Sequence, residues 1–413
     1  MYFLYNLLVL IASAILRVLA LVNTKLSLFV NGRKETISIL KKHISAEDKV
    51  IWIHAASLGE YEQGLPILEE LKRTYPTHKI ILTFFSPSGY EVKKNSKVAD
   101  VICYMPLDTK KNVDLFIATT HPSVVIFIKY EIWPNYLLAL KEKNIPTFLV
   151  SALFKKNQIY FKWYGAFMRK ALTNFSHFFV QNKTSYDLLN SKGFNNVTIA
   201  GDTRFDRVNE ILDRDNSLDF MNRFKQNKFC FVGGSTWPED EQLIIDYINQ
   251  NTHPIQFVIA PHTIKAKHIE TIKQAITKPV LCYSELENSE VEKFDVIIID
   301  TIGILTKIYS YADVAYVGGG FATGLHNTLE PAIFSIPVII GPKYLGFTEA
   351  EELVERQGVL SINSPSEFRK KMNLCFESID YKQKTGQINY TYIASRKGAT
   401  SRILNVINSK IKS

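Results

Sequence analysis

The chain has 413 residues, 46% of them hydrophobic and 22% charged, with a formal net charge of +9. That length accommodates two ordinary domains, and the composition is that of a folded protein, which excludes a disordered or low-complexity chain. Four cysteines, Cys103, Cys230, Cys282 and Cys375, stand far apart with no C-x-x-C pair. They fit a reducing compartment and speak against a zinc site or a disulfide framework.

The first element is apolar. From Met1 to Val22, "MYFLYNLLVLIASAILRVLALV" is interrupted only by Asn6, Ser13 and Arg17. A full membrane span needs roughly 20 apolar residues, and Arg17 makes this one marginal. Residues 1–24 are therefore expected to form an anchor helix inserted in the bilayer or lying on it. The apolar run resembles a signal-peptide core, but no basic stretch precedes it and no convincing A-x-A site follows. Lys25, Arg33, Lys34, Lys41 and Lys42 come next, which places the following domain on the cytoplasmic side.

The charge is uneven: 26 Lys and Arg face 16 Asp and Glu through Asp206, against 23 and 24 in the remainder. The basic half should meet something anionic. With no zinc-finger spacing, RNP-like motif or Lys/Arg-dense arm, nucleic acid is not the expected partner. Lys93, Lys94 and Lys97, with Lys155, Lys156, Lys162, Arg169 and Lys170, are candidates for lipid phosphates or an acidic bilayer; the alternative is an ordinary solvated face.

After the anchor, short apolar runs alternate with amphipathic stretches. Strands are predicted at Val50–His54, Ile80–Phe84, Val101–Tyr104, Val124–Ile128, Thr147–Ser151, His177–Val180 and Val197–Ala200, with helices between most of them. The polar stretch "RFDRVNEILDRDNSLDFMNRFKQNK" breaks this rhythm. A second series follows at Phe229–Val232, Gln256–Ala260, Val280–Tyr283, Val296–Ile299, Val314–Val317 and Pro337–Ile340. The fold class is α/β: two doubly wound, Rossmann-like domains, residues 25–205 and, with the linker, 206–413. Ligands of such sheets bind beyond the carboxyl ends of the strands, so a cleft between two such domains is the expected active site.

Four strand-end loops carry candidate chemistry. In "HAASLGE", Ser57 and Glu60 have the spacing of a capping box, which leaves Glu60 readable as a helix cap or as a base. In "YEIWPNYL", Glu131 follows a buried run and Pro134 is placed to start a helix. In "VGGSTWPEDE", Ser235 or Thr236 can cap an acidic helix start, and Gly233 and Gly234 allow close approach of a ligand. In "YVGGGFATGLHNTLEPAIF", a glycine-rich turn runs through His326 and Asn327 to Glu330, where free N–H groups could bind phosphate. "VGGGF" does not complete a dinucleotide fingerprint, and phosphate-loop, G-x-S-x-G and H-E-x-x-H motifs are absent.

In order along the chain, the apolar N-terminus, "WIHAASLGE", "EIWPN", "GDTRFD", "GGSTWPEDE" and "HNTLEP" resemble the bacterial 3-deoxy-D-manno-octulosonic acid (Kdo) transferases, membrane-associated enzymes of the B-type glycosyltransferase (GT-B) fold. The resemblance implies transfer of Kdo from CMP-Kdo to the tetraacyl-disaccharide bisphosphate precursor of lipid A, with inversion at the anomeric carbon. It implies Glu60 as the proton acceptor, and Glu131 and Arg204 as groups that stabilise the transition state. CMP contacts are implied at Pro261 and His262, at Ile302, Gly303 and Ile304, and at Asn327, Thr328, Leu329 and Glu330. No metal or other cofactor is implied, and the inner-membrane surface, cytoplasmic side, is the expected location. Lys129 stands where many members have an acid, and "HTIKAKH" after Pro261 differs from the usual donor loop. The rival expectations are another B-type glycosyltransferase or an epimerase using a UDP-sugar, and an inactive membrane-tethered sugar-nucleotide binder.

Overall fold

The structure is a computed structural model that describes residues 1–322 and 324–411. It divides into two compact units, Met1–Asp206 with Gly398–Ser413, and Arg207–Lys397. The first unit has strands β1 (Lys49–Ala55), β2 (His78–Phe84), β3 (Val101–Tyr104), β4 (Val124–Ile128), β5 (Thr147–Ala152), β6 (His177–Val180) and β7 (Val197–Ile199). They form one parallel sheet in the order β3-β2-β1-β4-β5-β6-β7. The strands are near-continuous runs of Val, Ile and Phe because both sheet faces are covered. Trp52, Phe116, Phe127 and Tyr136 fill one side, and Ile67, Leu68, Leu71 and Ile126 the other.

The second unit has β8 (Phe229–Thr236), β9 (Ile255–Pro261), β10 (Val280–Cys282), β11 (Val296–Ile298), β12 (Val314–Val317), β13 (Val338–Ile340) and β14 (Val359–Ser361). Their order is β10-β11-β9-β8-β12-β13-β14, again parallel throughout. The edge strand β14 was not expected from sequence; it is three residues long and carries no alternating pattern. The polar stretch 204–228 holds two short helices, Arg204–Asn209 and Asp219–Lys225, the second burying Met221 and Phe224.

The domain expectation for 206–413 needs one correction. The last helix, Ala399–Ile411, packs on the helix Leu58–Thr74 of the first unit. Ile403, Leu404 and Ile407 enter the same core as Ile67 and Leu71. Asp206 caps the start of this helix by accepting the N–H groups of Gly398 and Thr400, where a carboxylate offsets the helix dipole. Arg402 donates twice to the carbonyl of Ala200.

The helix Tyr2–Leu19 is long and apolar enough to cross a membrane, and none of it is buried. Phe3, Leu7, Leu8, Leu10, Ile11 and Val18 are exposed. Its other edge meets the first unit: Tyr5 donates to Asp108 at 2.7 Å, Asn6 pairs with Asn135, and Tyr2 and Tyr5 pack on Phe167.

Ile403→Ala removes a fully buried side chain and is expected to destabilise the first unit by about 2–5 kcal/mol. The check is a denaturant titration with probes on each unit. The first unit's midpoint should fall and the second's should stay in place; an unmoved first transition contradicts this packing.

Candidate active site

The strand order of the first sheet reverses between β1 and β4, which opens a crevice at their carboxyl ends. Both candidate acids leave the sheet there. After β1 the chain stays extended to Ser57, and the helix starts at Leu58. The Ser57 N–H donates to Glu60 Oε2 at 3.1 Å, so Glu60 does serve the helix start. It remains half-exposed rather than sealed in. Burial and then the charge of Glu131 hold its carboxyl above the usual glutamate range. A backbone hydrogen bond from Ala56 and the nearby Lys129 pull the other way.

Glu131 is reached by a turn at Lys129, whose φ of 69° is left-handed and costly for a residue other than glycine. The turn brings Glu131, 8% exposed, back toward the sheet. His54 Nε2 lies 3.0 Å from Glu131 Oε2, and the Trp133 indole N–H donates to the same oxygen at 2.7 Å. Pro134 then opens the helix Pro134–Glu142, with no N–H to leave unpaired. The structure thus gathers Glu60, Glu131, His54 and Lys129 into one electrostatic cluster. Sequence reading did not single out His54, although it lies inside the quoted "WIHAASLGE" stretch, because a histidine within an apolar strand reads as core.

Arg204 is fixed by Asp202, to which it donates from its backbone N and from Nε and Nη2 at 2.8–3.0 Å. Asp202 also accepts from Gln63, one turn along the helix from Glu60, and Thr203 donates to the Gln63 carbonyl. The "GDTRFD" loop therefore does two jobs: Asp202 aims the guanidinium, and Asp206 caps the returning helix.

In the second unit the sheet reverses between β8 and β12. Pro261 ends β9, and the His262 N–H donates to the Thr236 carbonyl. The His262 ring stacks on Trp237 at 4.7 Å and 17° and lies 4.7 Å from His326, while the Trp237 indole donates to His326 Nε2 at 3.0 Å. Burial, then His262, pushes His326 below the usual histidine range, as expected for an imidazole that must accept a hydrogen bond. Asn327 donates to Glu330 at 3.0 Å, and Thr306 holds the other Glu330 oxygen at 2.9 Å. This links the 327–330 turn to the short helix that follows Ile302, Gly303 and Ile304. The Thr328 hydroxyl is buried without a partner.

Three expectations here are corrected. The residue before the helix Pro238–Gln250 is Trp237, whose N–H is taken by Asp240; Ser235 and Thr236 belong to β8. Gly234 makes room for protein, since a Cβ there would collide with Tyr309 Oη. Gly318 likewise lies against the Ser235 carbonyl, and the next residue, Gly319, donates to the buried Asp240 at 2.8 Å. The helix at Leu329–Ala332 has only four residues and its first N–H is accepted by Asn327, so it offers no ready-made phosphate cradle. Among the described residues, no group of three or more His, Cys, Asp or Glu is arranged to hold a metal ion.

Two parallel seven-stranded units of this kind have the fold shared by B-type glycosyltransferases and nucleotide-sugar epimerases. Among solved structures, UDP-GlcNAc 2-epimerase from Neisseria meningitidis superimposes with a TM-score of 0.60 at 15% identity, covering 87% of this chain and 100% of that one. A glycosyltransferase from Rickettsia africae does so at 0.56 and 11%, over 89% and 100%. In sequence, residues 31–207 match the family described as 3-deoxy-D-manno-octulosonic-acid transferase (kdotransferase). The chain is 28% identical over 381 residues to the 3-deoxy-D-manno-octulosonic acid transferase of Haemophilus influenzae, covering 86% of each. It is 27% identical to a bifunctional glycosyltransferase/methyltransferase of Fusobacterium nucleatum, over 89% of this chain and 58% of that longer protein. The likeness to the Kdo transferases thus takes in residues 31–207 by the family match and most of the chain by the curated relatives.

The raised Glu60 pKa has a consequence for stability. A carboxyl held above its unfolded value favours the fold while protonated; that contribution is full below the unfolded pKa and is lost as pH rises through the folded one. Glu60→Gln keeps an acceptor for the Ser57 N–H and cannot ionise. It should therefore be at least as stable as the parent at pH 7, with its advantage vanishing below about pH 4. Thermal unfolding across that range checks it; a Gln variant less stable at pH 7 than at pH 4, relative to the parent, contradicts it.

Proposed function

We propose that this protein is an inverting glycosyltransferase that moves Kdo from CMP-Kdo to the tetraacyl-disaccharide bisphosphate precursor of lipid A. The observation that carries the reading is the position of two acids within the family-matched segment 31–207: both leave the sheet at its reversal point, within electrostatic reach of each other.

In this reading an acceptor hydroxyl attacks the anomeric carbon of Kdo as the bond to CMP breaks. The electron pair leaves with the CMP phosphate, and the hydroxyl proton passes to Glu60. A carboxyl with raised proton affinity is a better base than an ordinary glutamate. The electron-poor anomeric centre would be stabilised by the Glu131 carboxylate, and the departing phosphate by Arg204. The proposal includes no metal ion. CMP is assigned to the second unit, at Pro261 and His262, Ile302 to Ile304, and Asn327 to Glu330.

The lipid acceptor fits an enzyme that works at a membrane, which we place at the cytoplasmic face of the inner membrane. An apolar helix followed by Lys25, Arg33, Lys34, Lys41 and Lys42 supports that orientation. So do the exposed Trp163 (90%) and Tyr164 (59%), which share a segment with Lys155, Lys156 and Lys162. Aromatic rings beside lysines are characteristic of interfacial surfaces.

The test incubates the full chain with CMP-Kdo and the bisphosphorylated lipid acceptor and reads product mass. The parent should yield a Kdo-bearing lipid, with CMP but not UDP competing for the donor site. Glu60→Gln should fold and lose transfer by about 10²–10⁴-fold. Near-parental turnover in that variant would reject Glu60 as the base.

A further inference from the structure

His54 is fully buried, yet both ring nitrogens are engaged. Nδ1 lies 2.8 Å from Thr83 Oγ1 and 3.1 Å from the Thr83 carbonyl; Nε2 lies 3.0 Å from Glu131 Oε2. The direction of this chain is set from its far end. Trp52 Nε1 can only donate, and it donates to Thr83 Oγ1 at 2.8 Å. The Thr83 hydroxyl proton must then point elsewhere. His54 Nδ1 at 2.8 Å is a far better acceptor than the Ile53 carbonyl at 3.5 Å. With Nδ1 accepting from the hydroxyl, its 3.1 Å approach to the Thr83 carbonyl is a contact and not a hydrogen bond, and the one ring proton sits on Nε2, directed at the Glu131 carboxylate.

We infer that His54 is a positioning residue: its neutral Nε2–H tautomer, fixed by Trp52 through Thr83, locks Oε2 of Glu131 and leaves Oε1 as the oxygen free for the reacting sugar. Two N–H groups, from His54 and Trp133, converge on Oε2, so the carboxylate cannot rotate without losing both. The inference rests on the reading of Glu131 and Glu60 given above.

Other charged and titratable groups also face this pair. Glu60 comes from the helix after β1, and Lys129 and Tyr130 from the loop of Glu131 itself. Tyr160 comes from the turn Ile159–Phe161; burial and then Glu131 push its hydroxyl up to about 12.

The experiment compares transfer kinetics of the full chain with His54→Phe, which keeps a ring without a donor, and His54→Gln, which restores an N–H. In His54→Phe, kcat should fall about ten- to a hundredfold, the loss of a hydrogen bond to a charged group, with KM for CMP-Kdo unchanged. The acid limb of the kcat–pH profile should move to higher pH, because Glu131 without its donor holds a proton more tightly. His54→Gln should recover most of the rate and the limb. A parental kcat and unmoved limb in His54→Phe, or equal losses in both variants with the limb unmoved, would overturn the inference. The ¹⁵N shifts of His54 in the parent give a readout that needs neither variant. The Nε2–H tautomer is expected at the transfer pH, and an Nδ1–H or doubly protonated ring would overturn it. A parent chain with no transfer from CMP-Kdo would instead reject the proposed function and leave the ¹⁵N readout to decide this point.

Discussion

Two carboxylates at adjoining strand ends repel one another, and the first unit is arranged around that repulsion. Glu60 and Glu131 leave the sheet at the one place where its strand order reverses, so topology alone brings them close. Burial and the charge of Glu131 raise the proton affinity of Glu60. The surroundings separate their behaviour. Glu131 receives two N–H groups on one oxygen, from His54 and Trp133, and is anchored through Thr83 to the buried Trp52. Glu60 receives the Ser57 N–H at a helix start and keeps an open side. One acid is held in place by two donors; the other is left with raised proton affinity and access to solvent. That division of labour is the physical basis for assigning proton acceptance to Glu60.

The second unit uses a different device at its own reversal point. Trp237, His262 and His326 form an aromatic stack joined by one indole hydrogen bond. Beneath it, buried Asp240 gathers the N–H groups of Trp237 and Gly319 and the hydroxyl of Tyr316. A single acid thus ties the loop after β8 to the glycine-rich loop after β12. Gly234, read at first as room for a ligand, is room for Tyr309, and Gly318 is room for the backbone of Ser235.

Thirteen of the fourteen strands were legible because parallel, doubly covered strands must be continuous apolar runs, and Val124–Ile128 or Val314–Val317 look like nothing else. The exception, Val359–Ser361, is too short to carry a pattern. The last helix shows the limit of local reading. The spacing of Ile403, Leu404 and Ile407 marks a buried face, but nothing in it says that the face belongs to a unit begun about 400 residues earlier. Asp206 gave no signal as the cap of that helix for the same reason. Glu60, Glu131 and Arg204 stand out in the sequence through their motifs. Their supports, His54, Asp202 and Thr83, do not, since a buried polar residue acquires its role from partners distant in sequence. At Trp237, the local preference for Ser or Thr as a cap gave way to the extension of β8 through Thr236.

The most direct measurement of the central claim is a ¹³C titration of the Glu60 side-chain carboxyl in the full chain, alone and with Glu131→Gln. The expected midpoint lies above the ordinary glutamate range and moves down when the charge at 131 is removed. An ordinary midpoint that ignores the substitution would contradict the claim that these two acids share one electrostatic site.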